Sequence, residues 1–274
     1  MKTILIPTDF SATSKNASLY AIDMAATIGI PKIVFYHFYE TKLIYTPAGE
    51  LDEVASIEPN REKSIAELDA FIDSLGTIPE RIEIESYQGA GSVNEGVVEV
   101  AAIVAADLIV MGIAPGGLFK ETFLGSHALS VAKHVSTPVL IVPASATFNK
   151  LEKVTLLSDF KNVEGSVPVN KIKVFLEHGF LELSILHLLS YDEEIDNNHP
   201  EKQKLETLFK EYAPQFKYKE SGHYTDDIID FTAENDVDIL IVVPEYHSLI
   251  ETLFNDHTKK LAFHSKVPLL IAHK

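Results

Sequence analysis

Lys2 to Ser11 reads K-T-I-L-I-P-T-D-F-S, and Lys153 to Phe160 reads K-V-T-L-L-S-D-F. Asp9 and Asp159 stand 150 residues apart, and each is followed by Phe. Ile33 to Phe38, I-V-F-Y-H-F, is matched by Leu183 to Leu188, L-S-I-L-H-L, so His37 and His187 keep the same offset. Later in each half an Asp leads an aliphatic run, Asp107-Leu108-Ile109-Val110 and Asp238-Ile239-Leu240-Ile241. Both halves close on a Pro-led aliphatic segment, Pro138 to Val142 and Pro268 to Ala272. Landmarks in one order at a near-fixed offset mean that a whole domain is duplicated, at a period too long for a solenoid. The length of 274 residues agrees with two domains at roughly 150 residues each. The expected domains are 1–146 and 151–274, joined near Ala144 to Leu151.

Within the first half, Ile4–Pro7, Ile33–Phe38, Ile82–Tyr87, Leu108–Met111 and Val139–Val142 read as strands. Four are near-continuous apolar runs; Ile82–Tyr87 alternates and reads as more exposed. Helical stripes lie between them: Ala17, Tyr20, Ala21, Met24 and Ile28; Ile65, Leu68, Phe71, Ile72 and Leu75, behind Pro59 in a first turn; Val93, Val97, Val100, Ala101 and Val104; and Ala128, Leu129, Ala132 and Val135. This alternation predicts an α/β protein of two tandem doubly wound parallel-sheet domains, Rossmann-like, with right-handed crossovers. Ligands of such sheets lie beyond the carboxyl ends of the strands where strand order reverses, which directs attention to Asp9, His37 or Phe38, Gly89 and Gly112.

The chain carries 23 Lys plus Arg against 40 Asp plus Glu, a formal charge of −17. The load is shared: 10 basic and 18 acidic residues precede position 151, and 13 and 22 follow. With no basic run, a nucleic acid or an anionic membrane surface would be repelled. Cysteine is absent, which excludes disulfides, thiolate metal sites and Cys nucleophiles. Charges such as Asp107 and Asp238 interrupt every apolar stretch before the roughly 18 residues of a membrane span. Met1-Lys2-Thr3 leads straight into a strand with no signal-peptide core, so a cytoplasmic protein is expected.

Walker A, G-x-S-x-G and H-E-x-x-H patterns do not occur. Gly89-Ala90-Gly91 lacks the third glycine of a dinucleotide fingerprint, Asn94 standing in its place, and reads as a tight strand-to-helix turn. The informative stretch is Asp107 to Val142, D-L-I-V-M-G-I-A-P-G-G-L-F-K-E-T-F-L-G-S-H-A-L-S-V-A-K-H-V-S-T-P-V-L-I-V. A strand ends at Gly112, a loop carries Gly116 and Gly117, and Gly125-Ser126 opens a helix. Glycine admits a close backbone approach, and a helix start offers free N–H groups to an anion. Lys120 is the loop's one cation, so backbone N–H groups would supply most phosphate contacts.

Ile4–Pro7 ending in Thr8-Asp9-Phe10-Ser11, together with Gly112 to Ser126 and Pro138–Val142, resembles the universal stress protein family; the tandem halves are similar to its two-domain members. The resemblance spans essentially the whole chain and implies an adenine nucleotide alpha hydrolase-like fold. In the nucleotide-binding branch the late motif is G-x2-G-x9-G-[ST], which wraps ribose and phosphates of ATP. Gly112, Gly125 and Ser126 match it; Pro115 stands where the second glycine belongs, which removes an N–H donor, and Gly116 follows one place later. The resemblance sets Asp9 and the neighbouring Pro7 near base and ribose, Phe38 against the adenine, and ATP with Mg²⁺ as the ligand.

In the second half Asn255-Asp256 replaces the Gly-Ser pair, the strand after Asp238 runs into Val243-Pro244-Glu245, and no glycine lies between Val243 and Pro268. Asp256 at a helix start would repel phosphate while serving as an N-cap. No nucleoside triphosphate is expected there. Asp9 reads equally as a ligand contact and as a cap for the following helix, and Ser126 as an N-cap in either case. His37 and His187 read as satisfied interior imidazoles; neither a catalytic residue nor a metal site is expected.

Two functional classes follow. One is a stress-response regulator binding one adenine nucleotide in the N-terminal domain, without dedicated catalysis, slow hydrolysis being left open. The other is a stress-associated scaffold that binds a protein partner and no nucleotide. Val139–Val142 and Val267–Ala272 are the expected partners of a pseudo-dimer within one chain, which would hide two exposed edges. Association into a homodimer stays open.

Overall fold

The computed structural model describes residues 1–39, 44–45, 51–52, 54–90, 92–114, 124–179, 181–243, 261 and 265–274. The first half runs β1 (Thr3–Pro7), α1 (Ala12–Ile28), β2 (Lys32–Tyr39), a two-strand ladder β3 (Ile44–Tyr45) and β4 (Leu51–Asp52), α2 (Val54–Asp73), β5 (Glu83–Ala90), α3 (Val93–Ile103), β6 (Leu108–Ile113), α4 (Leu124–His134) and β7 (Val139–Pro143). The second runs β8 (Lys153–Leu157), α5 (Val163–Ser166), α6 (Val169–Leu176), β9 (Glu182–Leu189), α7 (Pro200–Leu208), β10 (Gln215–Glu220), α8 (Tyr224–Glu234), β11 (Ile239–Val242) and β12 (Leu269–Ile271).

The long strands form one ten-stranded sheet in the order β10-β9-β8-β11-β12-β7-β6-β1-β2-β5. All its pairs are parallel except β12 with β7, where Leu269, Leu270 and Ile271 oppose Ile141, Leu140 and Val139. Each half is thus a five-stranded doubly wound unit, and the expected pairing of their last strands is the seam. Residues 139–143 and 269–271 are buried throughout, which is why both runs are purely aliphatic. The alternating strand β5 lies at the sheet's edge, as its pattern requires.

Apolar stripes decide which face each helix covers. Ala17, Tyr20, Ala21 and Met24 of α1, with Leu68 and Phe71 of α2, pack on the face that also holds Ile172, Phe175 and Leu176 of α6. Val93, Val97 and Val100 of α3 and Ala128, Leu129 and Ala132 of α4 cover the other face. α2 begins at Val54, so Pro59 lies in the helix's second turn rather than its first and withholds one backbone donor there. The one long helix α1 has two short counterparts, α5 and α6. Pro168 separates them, with Val167 in the extended conformation that precedes a proline.

Two aspartates staple the halves in the same way. Asp107 Oδ2 accepts from the backbone N–H groups of Lys2 and Thr3 at 2.5 and 3.1 Å. Asp238 Oδ2 accepts from those of Glu152 and Lys153 at 2.8 and 2.9 Å. Across the seam, Lys171 donates to the carbonyl of Ser136 at 2.8 Å, and within its own half to that of His273 at 2.7 Å; burial holds its ammonium below the ordinary lysine value. His178 Nδ1 donates to the carbonyl of Ile28 at 3.3 Å, and His273 Nε2 to that of Ala132. Residues 1–150 and 151–274, expressed separately, are therefore expected to associate one to one. Sedimentation showing two stable monomers without mutual affinity would contradict the seam.

Candidate functional site

The order reverses between β1 and β6: the chain proceeds from β1 towards β2 and β5, then returns to add β6 and β7 on the other side. The crevice outside the carboxyl ends of these two strands is the switch point. Pro7, the buried last residue of β1, pairs in register with Tyr36, and Ile4 and Leu5 pair with Leu108 and Ile109. Extending both registers sets Thr8 level with His37 and Gly112, and Asp9 level with Phe38. Four expected residues, Pro7, Asp9, Phe38 and Gly112, are thus brought together.

The turn after β1 is held by its own polar side chains. Thr8 N–H donates to the Tyr36 carbonyl at 2.8 Å, and Phe10 N–H to the Thr8 hydroxyl at 3.0 Å. Ser11 N–H donates to Asp9 Oδ1 at 3.2 Å. Ser11, not Asp9, caps α1: its hydroxyl accepts from Ser14 N–H at 3.1 Å. Asp9 instead closes an Asx turn two residues long, the local bond its short side chain reaches best. Phe10 sits at φ 63°, a conformation unfavourable for a residue with a β-carbon. Its ring is held 4.1 Å from His37 and 5.5 Å from Phe71. His37 Nδ1 donates to the Thr8 carbonyl at 2.8 Å, which makes this histidine a positioning group for the turn.

Gly112 has a neighbour that the sequence did not announce. A β-carbon there would lie 2.5 Å from the carbonyl oxygen of Thr13 in α1. Glycine therefore lets the strand end approach the helix, independently of any ligand. Gly89 lies within β5 and not in a turn: a β-carbon would meet the Tyr36 hydroxyl at 2.5 Å. At Gly96 in α3 a β-carbon would lie 2.0 Å from the same hydroxyl. The buried Tyr36 explains both glycines, and its phenol is pushed up to about 12 by burial and by the charge of Glu99. Phe38 is half-buried beside the α3–α4 core.

The loop carrying Pro115, Gly116, Gly117 and Lys120 lies outside the described residues. α4 begins at Leu124, so Gly125 and Ser126 are inside its first turn and Ser126 is not the N-cap. Their backbone still belongs to the turn whose N–H groups lack helical acceptors.

The second half repeats the turn. Phe160, at φ 56°, donates its N–H to the Ser158 hydroxyl at 3.2 Å; Lys161 N–H donates to Asp159 Oδ1 at 3.0 Å. The other Asp159 oxygen is buried without a hydrogen-bond partner, with the Lys161 ammonium 3.8 Å away. Asn255, Asp256, Pro244 and Glu245 lie outside the described residues. Among the described residues no group of three His, Asp or Glu is placed to hold a metal, and no helix is long and apolar enough to cross a membrane.

The family model described as Universal stress protein family matches residues 1–143. A universal stress protein of Methanocaldococcus jannaschii is 30% identical over 143 residues, 52% of this chain and 81% of that protein. The crystal structure of a universal stress protein from Archaeoglobus fulgidus superposes over 98% of this chain and 95% of its own, with TM-score 0.66 at 18% identity. A putative universal stress protein from Pseudomonas aeruginosa covers 99% of this chain and 93% of its own, with TM-score 0.60 at 11% identity. These two structures share the fold over both halves.

Proposed function

Because the chain belongs to the universal stress protein family, we propose that its N-terminal domain, residues 1–146, binds ATP or a related adenine nucleotide with Mg²⁺, and that the protein is a stress-response regulator without dedicated catalysis. The observation that carries this reading is the convergence of Pro7, Asp9, Phe38 and Gly112 at the switch between β1 and β6. The residues suit an adenine nucleotide. Ser11 N–H occupies Asp9 Oδ1, and among the described residues the second carboxylate oxygen has no hydrogen-bond partner, so it is free to accept from a ribose hydroxyl or a base amine. Phe38 offers an apolar ring to a base. The first turn of α4, with Gly125 and Ser126, offers backbone N–H groups to phosphate, and Gly116 would admit the loop backbone close to it. The domain of residues 151–274 keeps the Asp-Phe turn and lacks the glycines, so it is assigned no triphosphate.

The test is to denature the purified protein, analyse the released small molecules, and titrate the stripped protein with Mg²⁺–ATP by calorimetry. About one adenine nucleotide per chain is expected, with binding abolished by Gly125→Asp, which adds bulk and negative charge at the helix start. Pro115→Gly should tighten binding, each tenfold being about 1.4 kcal/mol. The absence of both retained nucleotide and binding at millimolar ATP would overturn the reading and leave a protein-binding scaffold.

A further inference from the structure

His187 in β9 has an acceptor at each ring nitrogen. Nδ1 lies 2.9 Å from the carbonyl oxygen of Ser158, and Nε2 lies 2.9 Å from Oε1 of Glu193. A carbonyl oxygen only accepts, so Nδ1 carries a proton; an ionised carboxylate only accepts, so Nε2 carries another. Glu193 is held ionised: its bond to His187, then those from Ser190, draw its carboxyl down to about 2. Oε2 accepts from Ser190 N–H at 3.1 Å and from the Ser190 hydroxyl at 2.8 Å. The Phe160 ring lies parallel to the imidazole, 7° off and 4.3 Å away, presenting the face that attracts a cation. In the first half His37 makes the same Nδ1 bond, but among the described residues no carboxylate meets its other nitrogen.

We propose that His187 is a buried imidazolium that latches the 190–199 loop over the end of β9 through Glu193, and that loss of the Nε2 proton releases it. The loop presents Tyr191, 98% exposed, and Ile195, 49% exposed, among Asp192, Glu194 and Asp196. One proton therefore decides whether this acidic, aromatic surface is held in place.

The other titratable groups nearby come from the flanking elements. Tyr218 of β10 meets the imidazole edge-on at 6.3 Å, and His199, at the start of α7, lies 5.7 Å from Phe160. Lys202 of α7 places its ammonium over Phe216 and Tyr218 at 5.0 and 5.8 Å, adding positive charge that opposes the imidazolium. Asp159 precedes Phe160 and shares its charge with Lys161; Glu201 is taken by Val163 N–H and Lys204. Glu193 is the carboxylate hydrogen-bonded to the ring. Its depressed carboxyl makes the latch complete above its ordinary value of 4.5 and lost as pH falls towards about 2.

Nitrogen-15 NMR of the full chain, read at about pH 5 and about pH 9, on either side of the range in which a histidine changes charge, tests the protonation directly. Both ring nitrogens of His187 are expected to be protonated at the lower pH and one at the higher. Chymotrypsin cleavage after Tyr191, located by mass spectrometry and normalised to a peptide of the same loop, should rise about tenfold at the higher pH, because cleavage tracks the open population. Glu193→Ala, at a side chain 41% exposed, should fold and be cut fast at both values. A singly protonated His187 at the lower pH, or equal cleavage at both pH values in wild type and variant, would overturn the latch.

Discussion

Gly96→Ala is expected to destabilise the protein by about 1–3 kcal/mol, although alanine in a helix interior ordinarily gains up to about 1 kcal/mol over glycine. The steric term wins because the new β-carbon would lie 2.0 Å from the Tyr36 hydroxyl and 3.0 Å from Cζ. That ring cannot swing aside: it is 1% exposed, and Gly89, where a β-carbon would lie 2.5 Å from the same oxygen, packs close to it as well. Tyr36→Phe removes the obstructing atom. In that background Gly96→Ala should cost less by at least about 1 kcal/mol, within the range of coupling between residues in contact. Denaturant unfolding of the four proteins measures the cycle, and strictly additive effects would show that the hydroxyl is not what demands the glycine.

Gly112→Ala should cost about as much, at the upper end of the roughly 1–3 kcal/mol of overpacking, and should resist rescue. The obstacle is a main-chain oxygen, Thr13 O, at 2.5 Å, with Thr13 Cγ2 at 2.8 Å behind it. Thr13→Ser deletes the methyl and leaves the carbonyl in place, so the double variant should remain destabilised. Relief must come from separating α1 from the end of β6. That movement displaces the turn carrying Asp9, so the nucleotide affinity proposed for this domain should fall with stability. Full recovery in the Gly112→Ala, Thr13→Ser protein would identify the methyl as the obstacle instead.

These glycines show what a sequence reveals of a site. Gly112 was legible as a strand-end glycine, but its partner is a backbone atom, and every residue carries one. Tyr36 looked like one more apolar strand residue, and its claim on Gly89 and Gly96 depends on two elements meeting across a face. The duplication, most strands of the first half and the seam strands were legible because burial on both faces writes itself as unbroken aliphatic runs. Lys171, His178 and His273 were not, since they bond to carbonyls that leave no compositional trace. The cap of α1 fell to Ser11 because an Asx turn satisfied Asp9 first. Gly125-Ser126 read as a helix start, yet the helix opens one residue earlier at Leu124.

The antiparallel join of β7 to β12 has a consequence for how the two halves can change. In a symmetric pair of identical chains, every substitution appears on both sides of the axis, so neither copy can be specialised without altering the other. Here a peptide link holds the copies together at high effective concentration, and the seam needs no equality between them. Pro168 can split a helix in one copy while α1 stays whole, and Glu193 can bind one histidine while His37 keeps a different environment. Symmetry survives in the framework of strands; individuality is confined to the rims, where each copy answers to its own mutations.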